Sequence, residues 1–280
     1  MSEVKISAAD VKKLRDQTGA GMMDCKKALT ESGGDFEAAI DFLRKKGQKM
    51  ASKRAEREAK EGVVIALTSD DNKSGVVLRL GCETDFVAKN SDFVDLAKSF
   101  ADLALNKLPG SVEDLLALPY EDVTIGEKVI EQTGVIGEKI EISKYAKIEN
   151  PDGQVVPYIH MGYRAGVIVG LNKAGDQFTA PGKDVAMQVA AMRPVAVDKD
   201  GVDPSIVEKE IEIGKEQARA EGKPEAIIEK IAMGKLNKFY KENTLLNQGF
   251  VKDGSMSVAQ YLQSIDKDLT ITEFKNIELG

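Results

Sequence analysis

One structural plan occurs twice in this chain of 280 residues, and it limits the possible folds more than any other feature. The apolar run at 74–81 matches the run at 164–171 when Gly75 is aligned with Gly166, an offset of 91 positions (166 minus 75). Each run has the pattern of a buried β-strand, and each is followed by a polar corner and by helical spacing, over 88–106 and 183–193. Three more strands are predicted, at 62–68, 139–148 and 155–160. We therefore expect an α+β fold with two related subdomains, each an antiparallel sheet covered by helices.

The corner after the first strand places a carboxylate beside a large aromatic ring. Its residues, at 82–88, read Cys-Glu-Thr-Asp-Phe-Val-Ala. In one interpretation Asp85 caps the following helix and Phe86 fills the core beneath it. In the other, both side chains point away from the fold and form a contact site. The periodicity of the segment alone favours the first interpretation.

The first 50 residues predict three short helices around a small core. Ser7 and Asp10 form a capping box at the start of the first helix, and the second helix is expected over 22–32. Met22 and Met23 are adjacent on that helix, so their side chains point in different directions. We expect one of them to be exposed as an adaptable contact surface. Three helices around so small a core make a binding module rather than a catalytic scaffold.

Residues 201–240 predict a helical hairpin. Two stretches of helical spacing are joined by Gly222-Lys223-Pro224, a turn that interrupts them. The segment is too polar to form the core of a domain, and its apolar stripe is narrow. We expect it to project from the body as a self-packed pair of helices. A surface hairpin with no role beyond stability is the alternative.

Composition places the chain among ordinary soluble globular proteins. Hydrophobic residues make up 42% and charged residues 30% of it, unlike a disordered chain. No apolar run reaches the roughly 18 residues that would predict a membrane span, and residues 1–7 lack the apolar core of a secretion signal. The cytoplasm is therefore the expected location. Cys25 and Cys82 do not form a paired metal motif, and we expect no disulfide in a reducing compartment.

The net charge of −7 argues against a general nucleic-acid binder, because a phosphate backbone must be met with positive charge. One segment differs from the rest of the chain. Residues 41–60 carry eight basic and three acidic side chains, a local charge of +5. A solvated helical linker between domains commonly has such a composition. Contact with ribosomal RNA or with an acidic protein surface is the alternative.

The sequence patterns that usually accompany catalysis are missing. The chain contains a single histidine, His160, so neither a His-based metal site nor a pair of proton-shuttling histidines can be assembled. It has no phosphate-binding loop, no nucleophile elbow and no paired-cysteine zinc pattern. We therefore expect no catalytic residue, no bound metal and no cofactor.

Two of these segments closely resemble the elongation factor Ts family of bacteria and organelles. The stretch at 18–29 reads TGAGMMDCKKAL and the corner at 82–88 reads CETDFVA, and both match the family's best-known motifs nearly letter for letter. The resemblance then continues in order over essentially the whole chain, through 133–138, 158–160, 164–167, 234–240 and 250–253. The sequence stops at Gly280, where some members of the family continue into a further helix.

The resemblance implies a guanine-nucleotide exchange factor for elongation factor Tu, a GTPase, without a chemical active site of its own. It implies no direct nucleotide binding and no membrane partner, and it leaves self-association open. The main alternative is a non-enzymatic adaptor that tethers partners without affecting their nucleotide; an enzyme of unrecognised type is a more distant one. The adaptor hypothesis gives the corner at 82–88 no task, which favours the exchange hypothesis.

The resemblance also implies a division into domains. The family's N-terminal domain is similar to the ubiquitin-associated fold, and the family inserts an antiparallel coiled-coil arm where the hairpin is predicted. The expected units are a ubiquitin-associated-like domain at 1–50, a basic linker at 51–61, a first core subdomain at 62–148, a second core subdomain at 149–200 and 241–280, and the inserted arm at 201–240.

The same resemblance implies the site residues. In the family, the segment matching the corner docks beside the magnesium site of the GTPase. Phe86 is therefore expected to wedge between helices of the partner, and Asp85 to rearrange polar contacts near its metal. The expected residues are Thr84, Asp85, Phe86 and Val87 for displacement of the partner's magnesium, and Leu14, Met22, Met23, Ile136, Gly137 and His160 for binding the partner.

Overall fold

Helices and small antiparallel sheets make up the structure, a computed structural model that describes residues 5–280. Residues 1–4, which belong to the predicted N-terminal domain and to the segment inspected for a secretion signal, lie outside the described residues. The α-helices are α1 (Ala8–Thr18), α2 (Met22–Glu31), α3 (Phe36–Arg54), α4 (Asp85–Ala88), α5 (Ser91–Lys107), α6 (Val112–Leu116), α7 (Ile125–Ile136), α8 (Thr179–Met192), α9 (Pro204–Ala220), α10 (Glu225–Asn243) and α11 (Val258–Ile265). The β-strands are β1 (Glu61–Thr68), β2 (Ser74–Cys82), β3 (Pro119–Tyr120), β4 (Val123–Thr124), β5 (Glu141–Glu149), β6 (Gln154–Ile159), β7 (Ala165–Leu171), β8 (Gly249–Phe250), β9 (Asp253–Ser257) and β10 (Ile271–Glu278). This mixture of elements is compatible with the predicted α+β class.

Two three-stranded antiparallel sheets form the centre of the fold. The first has the strand order β1-β2-β5, and the second has the order β10-β7-β6. The two apolar runs that align in the sequence are β2 and β7, the central strand of each sheet. β10 is absent from the sequence-based prediction, because its apolar residues Ile271, Phe274 and Ile277 recur at every third position, and a half-buried strand is predicted by a period of two.

The two sheets pack face to face, which the sequence analysis did not anticipate. Apolar side chains of both sheets meet in one buried cluster, the inter-sheet core, formed by Val64, Ala66, Val77, Ile148, Val155, Ile168 and Ile277. Glycines in the central strands allow this close approach. A Cβ at Gly75 would lie 2.6 Å from Val155 Cγ1, and one at Gly166 would lie 2.7 Å from Val64 Cγ1. Because Gly75 and Gly166 are equivalent in the duplicated plan, both halves present a small residue to the shared core.

Helices cover the outer faces of the two sheets. α5 packs on β1 and β2, where Phe100 is fully buried, and α8 packs on β6 and β7. The helical spacing predicted over 88–106 is divided between two helices, because Asn90 caps α5 by accepting a hydrogen bond from the Asp92 N–H (2.9 Å). α8 begins at Thr179, earlier than predicted, since Pro181 is tolerated in a first turn.

The first three helices enclose a small apolar core of their own. The predicted capping box of α1 is confirmed: Ser7 Oγ accepts from the Asp10 N–H (3.1 Å), and the Asp10 carboxylate accepts from the Ser7 N–H (3.2 Å). α3 does not end near residue 50 but continues to Arg54, so the first part of the predicted linker at 51–61 is helical. No proline interrupts the helix, and Gly47 is accommodated within it. The similarity of this unit to the ubiquitin-associated fold stays a prediction.

α3 crosses α7 at a point where both helices carry glycine. A Cβ at Gly134 of α7 would lie 2.7 Å from Gly47 Cα of α3, so any larger residue would push the helices apart. Beside the crossing, Arg44 Nε donates to Glu131 Oε1 at 3.0 Å. α7 also contributes Val129 to the core under the first sheet. The crossing therefore attaches the three N-terminal helices to the body of the protein.

α9 and α10 lie side by side as a hairpin. Gly222, with a φ of 70°, provides the left-handed turn at the tip that the sequence pattern predicts. A Cβ at Gly214 would lie 3.1 Å from Ala232 Cα, so the two helices are in close contact at this point. The buried residues of the pair are Gly214, Ala218, Ile228, Ala232 and Leu236. The hairpin therefore buries an apolar stripe between its own helices.

We expect residues 208–238 to be dispensable for folding of the two sheets. Since Gly214 faces Ala232, positions 207 and 239, each seven residues further from the tip, also face each other, and a short Gly/Ser linker can join them. Loop closure depends only weakly on loop length. Thermal unfolding should stay cooperative, whereas any self-association through the hairpin should weaken. A non-cooperative transition in this deletion would show that the hairpin belongs to the core.

Candidate functional site

The corner after β2 exposes its aromatic ring instead of burying it. Phe86 is 83% exposed, so the interpretation in which it fills the core is wrong. The cap of α4 is Thr84 and not Asp85: Thr84 Oγ1 accepts from the Val87 N–H at 3.5 Å. Asp85 lies in the first turn, where a hydrogen bond from the Lys89 ammonium (2.6 Å) holds the pKa of its carboxyl below the ordinary value. The corner thus presents an aromatic ring and a carboxylate to solvent.

The Glu138 carboxylate fastens the corner to the loop after α7. Its Oε2 accepts from the backbone N–H groups of Glu83 (3.1 Å) and Thr84 (3.0 Å), and its Oε1 accepts from Thr84 Oγ1 (2.7 Å). The sequence analysis did not single out Glu138 as a site residue. The available signal was its place at the end of the 133–138 stretch that resembles the family.

The Glu83 carboxylate makes the complementary contact in the opposite direction. Its Oε1 accepts from the Lys139 N–H (2.6 Å) and from Arg54 Nη1 (2.5 Å), and its Oε2 accepts from Arg57 Nη1 (2.9 Å). Burial raises the pKa of this carboxyl, but the hydrogen bonds from Lys139, Arg57 and Arg54 outweigh burial and lower the pKa from 4.5 to about 2. The carboxylate therefore links three segments: the end of α3, the corner and the loop after α7.

Replacing Glu83 with Gln should make the stability of the protein less sensitive to acid. A lowered folded-state pKa contributes stability above pH 4.5, and this contribution is lost as the pH falls towards about 2. At neutral pH we expect the variant to lose about 1.5–3 kcal/mol of unfolding free energy. The loss should shrink between pH 4.5 and about 2, as measured by urea unfolding at a series of pH values. Glu149→Gln, which removes an exposed carboxylate, is the control; a loss that does not vary with pH would contradict the assignment.

The predicted contact residues Ile136 and Gly137 lie next to the brace, the set of hydrogen bonds by which Glu83 and Glu138 join the corner to the loop after α7. Ile136 is half-buried against the core under the first sheet, whereas its neighbour Val135 packs against the core of the three N-terminal helices. Gly137 ends α7 in the left-handed conformation (φ 83°), and its N–H donates to Thr133 O at 3.0 Å. The end of α7 therefore joins the N-terminal helices, the body and the corner.

The N-terminal helices expose both methionines of α2. Met22 is 44% and Met23 is 75% exposed, more than the single exposed side chain that the helical geometry predicted. The prediction that Leu14 lies on this surface is wrong, because its side chain is fully buried among the three helices. It can support the position of α2 but does not lie on the surface. Asp24, next to Met23, forms an ion pair with Lys46 of α3.

His160 is exposed at the end of β6, beside a residue that the sequence analysis left unassigned. Tyr158 Oη and His160 Nδ1 lie 2.9 Å apart, within hydrogen-bond distance. Met161 is 87% exposed. Arg164 Nη1 lies 3.4 Å from Glu61 Oε2, and Glu61 pairs with Cys82 across β1 and β2. The segment around His160 is therefore positioned near the end of the first sheet from which the corner emerges.

The basic segment at 41–60 contributes several of its charges to contacts inside the chain. Arg44 pairs with Glu131, Lys46 with Asp24, and Arg54 and Arg57 with Glu83. The interpretation of the segment as a linker between domains stays a prediction.

Both cysteines are buried and free. Burial and the nearby Glu138 carboxylate raise the pKa of the Cys82 thiol to about 12, and its Sγ donates to Thr84 O at 3.1 Å. Cys82 is therefore a neutral packing residue at neutral pH and not an activated nucleophile. Over residues 5–280, we find no cluster of three or more His, Cys, Asp or Glu side chains that could hold a metal ion. Within the same range, no helix has the length and apolar character needed to cross a membrane.

Comparison with known proteins gives a consistent family assignment. The family model described as Elongation factor TS matches residues 83–280. A protein named Elongation factor Ts from Cytophaga hutchinsonii is 57% identical over 277 residues, which cover 98% of this chain and 99% of that protein. Proteins of the same name from Christiangramia forsetii (51% identical, 99% of each chain) and Flavobacterium psychrophilum (53% identical, 98% of this chain and 99% of that protein) are similar over the same extent. The family model covers well over half of the chain and these relatives cover nearly all of it, so the chain belongs to the elongation factor Ts family.

Proposed function

We propose that this chain binds elongation factor Tu in its GDP-bound form and promotes release of GDP, so that GTP can bind. Membership of the elongation factor Ts family supports the proposal. The structural observation that carries it is the exposure of Phe86, a large apolar ring at a corner that is braced by two carboxylates. The ring contributes little to the stability of its own fold while it is 83% exposed, and a protein partner would bury it.

In the proposed complex, the corner docks beside the phosphate and magnesium site of the GTPase. Such proteins hold GDP through a phosphate-binding loop and a Mg²⁺ ion. Phe86 wedges between helices of the partner, and the Asp85 carboxylate rearranges polar contacts near the partner's metal. Thr84 and Val87 hold the corner: Thr84 through its cap and its bond to Glu138, and Val87 through packing on the core of the first sheet. This chain binds neither the nucleotide nor the metal itself.

The remaining contacts come from the N-terminal helices, the loop after α7 and the segment after β6. Met22 and Met23 offer flexible, polarizable side chains that suit a surface on the nucleotide-binding domain of the partner. Ile136 and Gly137 extend the corner's surface, and His160 adds a second contact region at the end of β6. We propose for the chain the domain division given above, with a ubiquitin-associated-like head and an inserted coiled-coil arm.

Phe86 alone cannot account for a large change in nucleotide affinity. Burying one Phe side chain contributes roughly 1.5–3 kcal/mol, and each tenfold change in an equilibrium constant corresponds to about 1.4 kcal/mol. The wedge therefore changes nucleotide affinity by at most about a hundredfold, and any larger change needs the rest of the interface. Linkage makes the coupling reciprocal, so GDP must weaken binding of this chain to the GTPase by the same factor.

Stopped-flow measurement of GDP release tests the proposal. Elongation factor Tu loaded with a fluorescent GDP analogue is mixed with this chain and an excess of unlabelled nucleotide. The exchange hypothesis predicts faster release that saturates with the concentration of the chain. The adaptor hypothesis predicts binding without acceleration, and that outcome would replace the exchange proposal.

A further inference from the structure

The corner and the loop after α7 are joined by two carboxylates, those of Glu83 and Glu138, each of which accepts hydrogen bonds from the other segment. We propose that Glu138 is the positioning residue that holds Phe86 in its docking orientation. The inference deepens the proposed exchange function and rests on it. Glu138 has no part in contacting the partner in this proposal. It acts through the backbone of Glu83 and Thr84.

The hydrogen bonds between the two segments run in both directions. Glu138 accepts from the N–H groups of Glu83 and Thr84, at 3.1 and 3.0 Å, while Glu83 accepts from the N–H of Lys139 at 2.6 Å. Each carboxylate thus binds the backbone of the segment that carries the other carboxylate. Charge-assisted bonds of this kind are about twice as strong as bonds between neutral groups. Two segments more than fifty positions apart are therefore held as one unit.

α4 needs this support because it has little of its own. It spans only Asp85–Ala88, and none of its residues is fully buried. An isolated helix of four residues is not stable in water. The cap bond from the Val87 N–H to Thr84 Oγ1 is long, at 3.5 Å, and the hydroxyl that accepts it is itself fixed by donating to Glu138 at 2.7 Å. The direction of Phe86 therefore depends on Thr84, and the direction of Thr84 depends on Glu138.

A second layer of contacts fixes the brace to the end of α3. Lys139 Nζ donates to the carbonyl oxygens of Ala55 (3.0 Å) and Arg57 (2.9 Å), and Arg54 and Arg57 both donate to Glu83. Removal of Glu138 alone therefore leaves Glu83, Lys139 and α3 connected. We expect such a variant to keep its fold and to lose order mainly at 83–88.

Order at the corner lowers the cost of docking. A segment that is disordered in the free protein must lose conformational freedom when it binds, whereas a braced segment has already done so. Without Glu138, Phe86 remains present but points in several directions. Because Met22, Met23 and His160 contact the partner independently of this segment in the proposed complex, complex formation is less affected than insertion of the ring.

A double-mutant cycle with Phe86 separates this role from a general structural one. We expect Glu138→Ala to slow GDP release at saturating concentration by about 3- to 30-fold, within the range of coupling between neighbouring residues. Because Glu138 acts mainly through the ring, its removal should slow GDP release much less in a Phe86→Ala background than in wild type; the small remainder reflects Asp85, which lies on the same segment. Losses that multiply in the double variant would overturn the proposal. Glu138→Gln keeps one acceptor oxygen, and its rate of GDP release should lie between those of wild type and Glu138→Ala. Glu149→Ala, which removes an exposed carboxylate on β5, should release GDP at the wild-type rate.

Hydrogen–deuterium exchange tests the brace without the partner. In Glu138→Ala, peptides that cover 83–89 should take up deuterium faster, while peptides of β2 and α5 should keep wild-type protection. Unchanged uptake at the corner would overturn the proposal whatever the kinetics show. If the Phe86→Ala variant promotes GDP release at the wild-type rate, the wedge in the proposed function is wrong. The hydrogen–deuterium exchange measurement still decides whether Glu138 orders the corner.

Discussion

Phe86→Ala is expected to slow GDP release from elongation factor Tu by about 10- to 100-fold while the fold is retained. The ring is 83% exposed, so its removal leaves no cavity in the protein. The magnitude follows from the roughly 1.5–3 kcal/mol that burial of a Phe side chain contributes, at about 1.4 kcal/mol for each factor of ten. Stopped-flow release of labelled GDP at saturating concentration gives the rate, and circular dichroism checks the fold.

Two further variants make this result specific to the ring. Ile227→Ala removes an apolar side chain that is 42% exposed on the arm, and it should release GDP at the wild-type rate. Phe86→Leu keeps apolar volume at the corner and should retain part of the activity. A wild-type rate in Phe86→Ala would show that the ring is not the wedge, and equal losses in Ile227→Ala and Phe86→Ala would point to a general loss of apolar surface.

The elements that follow local rules could be predicted from the sequence. The capping box at Ser7, the turn at Gly222 and the central strands β2 and β7 depend on residues close together in the chain, and each is confirmed. β10 could not be predicted in this way, because its partner β7 decides that a half-polar segment is a strand. The same holds for the inter-sheet core, since one apolar pattern fits a sheet covered by helices and a sheet covered by another sheet.

At the candidate site, the sequence identified the corner but not its orientation. Residues 84–88 allow a helix capped by Asp85 with Phe86 buried beneath it, and also the observed helix capped by Thr84 with Phe86 exposed. The second arrangement depends on Glu138, whose carboxylate reaches Thr84 from a loop 54 positions further along the chain. Leu14 illustrates the opposite error: the resemblance placed it on a surface, and the packing of the three helices buries it.

The shared core predicts that the two halves of the body unfold together. Ile168, at the centre of β7, is fully buried in the inter-sheet core, where Val64 and Val77 of the first sheet also lie. Ile168→Ala should lower the free energy of unfolding by about 2–5 kcal/mol, because it removes buried methyl groups and leaves a cavity. Since both sheets border that cavity, a single transition should move to lower temperature as a whole. Scanning calorimetry and far-UV circular dichroism measure this directly.

Ile227→Ala is the matched control for this prediction, because it removes the same atoms from a side chain that is 42% exposed on the arm. Its effect should stay within about 0.5 kcal/mol, as for most surface substitutions. If Ile168→Ala instead splits the transition in two, with the first sheet melting at its wild-type temperature, the sheets are independent units that only touch. A single shifted transition has a consequence for the proposed function: contacts made by His160 in the second half and by Phe86 in the first would then act on the partner from one rigid body.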